Sequence, residues 1–274
     1  MDKIIKKPKI IFIDLDGTSL DIKDSSHSNF SLENINAIEE VSKEIPIIVS
    51  TGRGYNSETL RILKTINAKN FILWNGAKIF IDNKEVVSKK IDEQVLRNLL
   101  LDISKSKVLG ILNSDLKKSF TNSIIFKIID VFKGFKNNDN YLNSVPFDTF
   151  KVLVFAISKR KLSKLKAEWS EKYKGVLQIA FCGKQNSIIE ITSATASKGI
   201  SEKEYCEMFG INPENAMHIG DSMNDASAKN MIGTVVAMKN SSDLFKDIAD
   251  IVLDFDYKNA GLAKFIRQFV NSKK

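Results

Sequence analysis

The stretch FIDLDGTSL, residues 12–20, ends an apolar run and contains two aspartates two positions apart, Asp14 and Asp16. The run KIIFID has the continuous apolar character of a strand that is buried on both faces of a sheet. Such strands are typical of parallel sheets, in which ligands bind at the carboxyl ends of the strands. The sequence therefore predicts that Asp14 lies at a strand end, beside a functional site.

Strands and helices alternate in the two outer parts of the chain. The predicted strands are IPIIVS, FILWNG, AMHIGD, GTVVAM and DIVLDF; the predicted helices are LENINAIEEV, SETLRILKTI, SKGISEKEYCEMFG, DASAKNM and AGLAKFIRQFV. Ser31 is predicted to cap the first helix, and KIFIDNKEVVSKKI to form a hairpin around Asn83-Lys84. This order predicts an α/β fold with a Rossmann-like parallel sheet and helices on both of its faces.

A more mixed segment interrupts the alternation. It contains predicted helices near DEQVLRNLLLDIS and KLSKLKAEWSEKY, and short strands such as KVLGIL and KVLVFAIS. We therefore predict one domain formed by residues 1–84 and 191–274, interrupted by an inserted α/β domain over residues 85–190.

The composition is that of a globular protein, since 43% of the 274 residues are hydrophobic and 27% are charged. No apolar run approaches the roughly 18 residues of a membrane helix, and the N-terminal apolar run is too short for a signal peptide. We expect a cytoplasmic protein with no membrane partner. Cys182 and Cys206 lack CxxC spacing and are expected to be core residues.

The net charge of +8 lies in the middle of the chain. Residues 82–190 contain 20 basic and 12 acidic side chains, and the rest of the sequence contains 21 of each. Either this segment meets an anion, or its lysines solvate a surface. Because no RNP-like motif, zinc finger or arginine-rich stripe accompanies the charge, a nucleic-acid partner is not expected.

A second acidic group follows another predicted strand. In HIGDSMNDASA, residues 218–228, Asp221 ends the strand, and Asn224 and Asp225 follow. A single aspartate after a strand is usually a helix cap or a turn former. If the two strands are neighbours, however, four carboxylates converge, and their repulsion calls for a cation. An all-oxygen site suits Mg²⁺.

Donors for a phosphoryl group occur at two further places. STGR, residues 50–53, places Thr51, Gly52 and Arg53 at a strand end, and Lys198 begins a predicted helix. A hydroxyl, a fixed backbone and a lysine are donors that a phosphoryl group requires. Each is weak evidence alone, and together they indicate a phosphate site.

The four segments DLDGT, STGR, SKG and GDSMND resemble the four motifs of the haloacid dehalogenase superfamily. The resemblance is close to its Cof-type phosphatases, which carry an α/β (type IIB) cap, and WNGA, VAMKNS and NAGLAKFI resemble further stretches of that group. The likeness covers residues 1–84 and about 190–274. The middle segment matches the cap only in position and length.

This resemblance implies a Mg²⁺-dependent phosphatase that hydrolyses a small phosphorylated metabolite through an aspartyl-phosphate. The substrate class stays open among sugar phosphates, nucleotides, flavin mononucleotide and pyridoxal phosphate. By resemblance, the catalytic residues are Asp14 (nucleophile), Asp16 (acid and base), Thr51 and Lys198; the substrate-binding residues are Gly52, Arg53, Asn75 and Asn224; and the metal residues are Asp14, Asp16, Asp221 and Asp225.

Other functions share part of this pattern of residues. A phosphomutase of the same superfamily is an alternative, as is a phosphate-binding or phosphorelay regulator without turnover. A dehydrogenase would need a third glycine after Gly52 and Gly54, which is missing from its place. Ser19, Gly54 and Lys239 depart from the family pattern near the expected substrate entrance, and we expect a monomer or a homodimer.

Overall fold

The computed structural model describes residues 5–23, 27–133, 137–146, 148–182 and 187–270. The chain forms two compact units: the first comprises Met1–Val87 and Lys198–Lys274, and the second Ser88–Ser197. The second unit is thus an insertion in the sequence of the first.

Strands and helices are numbered along the chain. The strands of the described residues are β1 (Ile10–Ile13), β2 (Ile22–Lys23), β3 (Ser28–Asn29), β4 (Ile47–Ser50), β5 (Phe71–Leu73), β6 (Lys78–Ile81), β7 (Lys84–Ser88), β8 (Leu109–Leu112), β9 (Ser119–Thr121), β10 (Lys151–Phe155), β11 (Leu177–Cys182), β12 (Ile188–Ser193), β13 (Ala216–Gly220), β14 (Thr234–Ala237) and β15 (Ile251–Val252). The α-helices are α1 (Leu32–Ser42), α2 (Ser57–Thr65), α3 (Glu93–Ser106), α4 (Ile124–Lys133), α5 (Lys159–Lys172), α6 (Lys198–Met208), α7 (Asp243–Ile248) and α8 (Gly261–Ile266).

The first unit is built on an eight-stranded sheet in the order β15-β14-β13-β1-β4-β5-β6-β7. The six strands from β15 to β5 are parallel, and β6 runs antiparallel to β5. Helices cover both faces, which confirms the predicted Rossmann-like α/β class. The chain leaves β1 toward β4 on one side and returns as β13 on the other, so β1 lies at the switch point where such sheets bind ligands.

Burial explains why β1 is the centre of this sheet. All four of its residues, Ile10–Ile13, are completely buried, as a strand covered on both faces requires. Ser31 caps α1 as predicted, because its side chain accepts a hydrogen bond from the N–H of Asn34. Asn34 in turn accepts from the N–H of Ala263, which ties α1 to α8. Nδ2 of Asn34 also donates to the carbonyl of Ser19 over 3.0 Å, so both helices are tied to the loop that follows β1.

The second unit has its own antiparallel sheet in the order β11-β12-β10-β8-β9. Helices α3 and α5 pack on this sheet through a core that includes Leu99, Ile103, Val152, Trp169 and Ile191. The α/β character predicted for the insertion is therefore present. Strands β9, β11 and β12 and helix α4 were not predicted.

Several boundaries differ from the predictions. The expected domain boundary at residues 190/191 falls inside β12, whose pairing with β10 and β11 keeps it in the second unit, so the division lies at 197/198. The predicted helix DASAKNM is only a short 3₁₀ turn, Asp225–Ala228. The hairpin turns at Asp82 and Asn83, both of which have positive φ, and not at Asn83-Lys84.

Two further observations concern the cysteines and membranes. Cys206 is buried as expected, but Cys182 is only partly buried, and both are free thiols. In the part of the chain that the structure describes, no helix combines the length and the apolar character that crossing a membrane takes.

Candidate active site

Asp14 is the first residue after β1 and is only 5% exposed. Its N–H donates to the carbonyl of Ile219 on β13, which continues the sheet register to the aspartate itself. The hydroxyl of Ser19 donates to the carbonyl of Asp14 over 2.6 Å. This bond gives the buried Ser19, a departure from the family pattern, a structural role: it fixes the loop that follows the strand.

Lys198 begins α6 and is completely buried. Its Nζ donates to Asp14 Oδ1 over 2.5 Å and to Asp225 Oδ1 over 2.6 Å. Burial alone would lower the pKa of Lys198, but the charges of the two carboxylates outweigh burial and raise it. The lysine is therefore a charged ammonium group held between two acids.

Asp225 is also completely buried, and both of its oxygens accept hydrogen bonds. Oδ1 accepts from Lys198 and lies 2.9 Å from Nε2 of His218, while Oδ2 accepts from the N–H groups of Asp221 and Ser222. Burial would raise the pKa of Asp225, but Lys198 and His218 lower it below its usual range. Asp225 is thus a fixed anion with its acceptor positions in use.

Asp14, Asp221 and Asp225 form an acidic cluster in which one oxygen of each lies within 4.8 Å of the others. Burial raises the pKa of Asp14 to about 6. Burial, followed by the charges of Asp14 and Asp225, raises the pKa of Asp221 to about 8. A cation between these oxygens would relieve the repulsion, so the donor set fits the predicted divalent metal.

The loop after β1 is shaped to admit Asp221. Gly17 has a φ of +78°, and a Cβ atom at this position would lie 2.3 Å from Asp221 Oδ2. Any side chain at residue 17 would therefore displace the carboxylate from the cluster. Glycine is needed here both for the backbone conformation and for the close approach.

Asp16 does not join this cluster, contrary to the prediction that four carboxylates converge. Its side chain is 56% exposed, and its two oxygens accept from Nε and Nη2 of Arg53 over 2.6 and 2.7 Å. A bidentate guanidinium is a strong partner for a carboxylate, which explains the direction that the Asp16 side chain takes. Three acids meet at the strand ends, and the fourth is paired beside them.

The remaining predicted residues follow the ends of β4, β5 and β13. Thr51 is buried, and its Oγ1 accepts from the N–H of Arg53. Asn75, with a φ of +52°, accepts from Nδ2 of Asn224 over 3.1 Å, and its N–H donates to the carbonyl of Thr51. A Cβ at Gly52 would lie 2.8 Å from Asn75 Oδ1. The structure therefore brings Thr51, Gly52, Asn75 and Asn224 together.

The structure also accounts for Gly54, another departure from the family pattern. A Cβ atom at this position would lie 2.2 Å from the ring of Trp74, so the indole occupies the space that a larger residue would need. Lys239, the third departure, is exposed.

Sequence reasoning missed two residues that adjoin the cluster. His218 and Glu202 are completely buried, and Nδ1 of His218 lies 2.8 Å from Glu202 Oε1. Burial alone would lower the pKa of His218, but Glu202 and Asp225 raise it to about 9. The available signal was a histidine inside the apolar strand segment AMHIG, since polar residues on buried strands need partners.

Comparisons with known proteins identify the family of the chain. Residues 11–266 match the model of the haloacid dehalogenase-like hydrolase family. The chain is 28% identical to phosphatase YwpJ of Bacillus subtilis, over 89% of this chain and 94% of that protein. It is 25% identical to the 5-amino-6-(5-phospho-D-ribitylamino)uracil phosphatase YcsE of the same organism, over 96% of each.

A solved structure shows the same fold. The subclass IIB sugar phosphatase BT4131 superposes with a TM-score of 0.73 and 20% identity, covering 96% of this chain and 99% of that one. The chain therefore belongs to the haloacid dehalogenase-like hydrolases, in their Cof-type group, as its motifs predicted. It is an enzyme of the phosphatase class.

Proposed function

We propose that this phosphatase depends on Mg²⁺ and hydrolyses a small phosphorylated metabolite through an aspartyl-phosphate on Asp14. The observation that carries the proposal is the contact of Lys198 Nζ with Asp14 Oδ1 over 2.5 Å, inside a buried acidic cluster. An ionised carboxylate is a nucleophile that needs no base, but a phosphate dianion repels it. The proposed site provides positive charge where the two anions must meet.

We assign Mg²⁺ to the carboxylates of Asp14 and Asp221 and to the backbone carbonyl of Asp16, as the family resemblance implies. We do not count Asp225 among the metal ligands, because its two oxygens already accept from Lys198, His218 and two backbone N–H groups. The metal, when bound, would add positive charge that lets the carboxylate and the phosphate approach each other. Magnesium is favoured over softer ions since all the donors are oxygen atoms.

The first half of the reaction forms a bond between an oxygen of Asp14 and phosphorus and breaks the ester P–O bond. Asp16 supplies the proton that the leaving oxygen needs. Thr51 Oγ1 already accepts from the N–H of Arg53, so its own proton is available to a phosphoryl oxygen. Gly52 and Arg53 complete the proposed phosphate site beside Asn75 and Asn224.

The second half transfers the phosphoryl group to water and regenerates Asp14. Asp16, now ionised, takes a proton from the attacking water, so that one side chain serves both halves. For both roles the ion pair of Asp16 with Arg53 must open, since a carboxylate that accepts from the guanidinium through both oxygens has no proton to donate. A bound phosphate is a competing partner for the guanidinium. Lys198 offsets the negative charge that develops on the phosphoryl oxygens, and a bound metal would add to this effect.

The substrate is proposed at the level of a class. One relative acts on a phosphorylated ribitylaminouracil and a structural neighbour on sugar phosphates, as their names state. We propose that this chain acts on a phosphomonoester of that size and that the inserted unit, residues 85–190 in the sequence prediction, selects among such esters.

A panel of phosphate esters tests the proposed function. Purified protein with Mg²⁺ should release inorganic phosphate from one or a few members of a panel that includes sugar phosphates, nucleotides, flavin mononucleotide, pyridoxal phosphate and the ribitylaminouracil phosphate. Analysis of the organic product, with and without a sugar bisphosphate, separates hydrolysis from mutase activity. Isomerised sugar phosphate in place of free phosphate would contradict the proposal.

A further inference from the structure

A buried histidine and glutamate stand behind the lysine of the candidate site. His218 lies within β13 and Glu202 on α6, and both are completely buried. One ring nitrogen of His218 lies 2.8 Å from Glu202 Oε1 and the other 2.9 Å from Asp225 Oδ1. The proposed reaction uses neither residue directly.

The direction of these hydrogen bonds follows from the acceptors. Asp225 is held as a carboxylate, which only accepts, so Nε2 of His218 carries a proton and donates it. The proton on Nε2 is required whether the proton shared by Nδ1 and Glu202 lies on the ring or on the carboxyl group. Asp225 Oδ1 thus receives two donors, His218 from the strand and Lys198 from the helix.

The contacts close a ring of side chains. Lys198 and Glu202 are four residues apart on α6, which places them one turn apart on the same face. Lys198 contacts Asp225, Asp225 contacts His218, and His218 contacts Glu202. The start of α6 is therefore fastened to the strand end at two points, one of which is the ammonium group itself.

Stability alone is a poor explanation for this pair. Charged or strongly polar groups lose hydration when they are buried, and apolar side chains of similar size are often equally stabilising. Among the described residues, Glu202 Oε2 has no hydrogen-bond partner, so the glutamate is not even fully satisfied. His218 and Glu202 instead lie where they restrain Asp225, the hydrogen-bond partner of Lys198.

We propose that His218 and Glu202 are positioning residues that hold Asp225, and through it Lys198, in place at Asp14. The inference rests on the proposed function, because it assumes that Lys198 acts on the phosphoryl transfer at Asp14. Without the donor on His218, Asp225 Oδ1 keeps Lys198 as its only side-chain donor, and the carboxylate and ammonium are free to move together. Small displacements of groups at a reacting centre strongly lower kcat.

Two double variants test the role of the donor. Glu202→Leu/His218→Met removes the pair without leaving one member unpaired, and Glu202→Leu/His218→Gln restores an N–H of similar reach in a side chain of similar length. The first should lose about 10- to 100-fold in kcat toward p-nitrophenyl phosphate, with KM within about twofold of wild type. The second should recover most of that loss.

A matched control separates positioning from packing. Cys206 is buried on α6, one turn beyond Glu202, so Cys206→Ala should lower the melting temperature and leave kcat unchanged. Should Glu202→Leu/His218→Met not fold, Glu202→Gln/His218→Met and Glu202→Gln/His218→Gln give the same comparison without leaving a buried charge unpaired. In a Lys198→Met background, adding the pair of substitutions should cause no further loss, because the residue they position is gone.

The outcomes distinguish the two proposals. Equal kcat values for the methionine and glutamine versions, both folded, would overturn the positioning role while leaving the proposed function intact. Wild-type kcat in Lys198→Met would overturn the proposed function itself.

Discussion

Lys198 Nζ and Asp14 Oδ1 lie 2.5 Å apart although the two residues are separated by 184 positions in the sequence. The contact joins the start of α6 to the end of β1, on opposite sides of the inserted segment. Neither charge could remain buried alone, since desolvation strongly disfavours an unpaired ion. The pair therefore links the folding of two distant segments to the chemistry of one carboxylate.

Lys198→Met should abolish most of the activity. The substitution leaves Asp14 and Asp225 without their shared cation, so a phosphate dianion meets uncompensated negative charge. We expect kcat to fall by at least about 10²-fold, the typical effect of removing one charge-stabilising donor from an active site. Steady-state kinetics with a saturating ester measures it.

Lys203→Met is the matched control for this experiment. Lys203 is on the same helix, but it is exposed and pairs only loosely with Glu207, at 3.9 Å. Its removal should leave kcat unchanged, since exposed pairs contribute little. A similar loss in both variants would show that the effect arises from the helix and not from the site.

The stabilising effect of Mg²⁺ should grow with pH. Without a metal, the raised pKa values of Asp14, about 6, and Asp221, about 8, mean that the folded protein binds more protons than the unfolded chain. That contribution to stability is complete below about pH 4 and is lost as the pH rises through 6 and then 8. Bound Mg²⁺ replaces the protons that the two carboxylates lose as the pH rises. The gap between the melting temperatures with Mg²⁺ and with chelator should therefore widen between about pH 5.5 and about pH 8.5, a range that spans both pKa values.

Asp221→Asn provides the control for the metal. The variant keeps the shape of the side chain and removes the acid with the highest pKa in the cluster. Its melting temperature should respond weakly to Mg²⁺ at every pH. A wild-type gap that is constant or that narrows with rising pH would contradict the assignment of the cluster to a divalent cation.

Arg53→Lys should weaken substrate binding more than turnover. The guanidinium of Arg53 donates two bonds to Asp16 and is proposed to exchange this partner for the substrate phosphate. A lysine cannot reproduce the bidentate geometry, so we expect KM to rise about tenfold. Arg97→Lys, at an i,i+4 pair of α3 with Glu93, is the control that should change neither constant. An unchanged KM in Arg53→Lys would remove the residue from the phosphate site.

The acidic residues at the strand ends could be predicted, because the apolar runs and their order in the sequence indicate where each strand ends. KIIFID and AMHIGD are apolar runs that end in aspartate, and neighbouring parallel strands place such ends together. The direction of Asp16 could not be predicted, because it depends on where Arg53 lies across the loop. The ring through His218 and Glu202 depends on the packing of α6 against β13, for which the sequence carries no periodic signal.

Added salt should lower kcat/KM. The chain has a net charge of +8, with all of the excess between residues 82 and 190, and a positive field raises the encounter rate with an anionic ester. Screening over roughly 8 Å at physiological ionic strength should reduce this effect while kcat changes little. A salt series with an ion that does not compete for Mg²⁺ is the measurement. A flat kcat/KM would show that the lysines only solvate the surface.

Asp16→Asn should slow turnover by about 10²- to 10⁴-fold. The first chemical step should still occur with esters that have a good leaving group. An ester with a good leaving group, such as p-nitrophenyl phosphate, needs no proton from Asp16, whereas the attacking water still needs a base. Phosphorylated enzyme should therefore accumulate in this variant. An Asp16→Asn protein that turns over unactivated alkyl phosphates at the wild-type rate would contradict the role of Asp16.

Capture of the phosphorylated enzyme tests the central claim most directly. Asp16→Asn with Mg²⁺ should release a burst of one equivalent of nitrophenolate per chain, and mass spectrometry after acid quenching should place one phosphoryl group on the peptide that contains Asp14. The burst and the modified peptide should both be absent in Asp14→Asn/Asp16→Asn. A phosphoryl group on another residue, or an Asp14→Asn protein that is folded and turns over at a near-normal rate, would contradict the account.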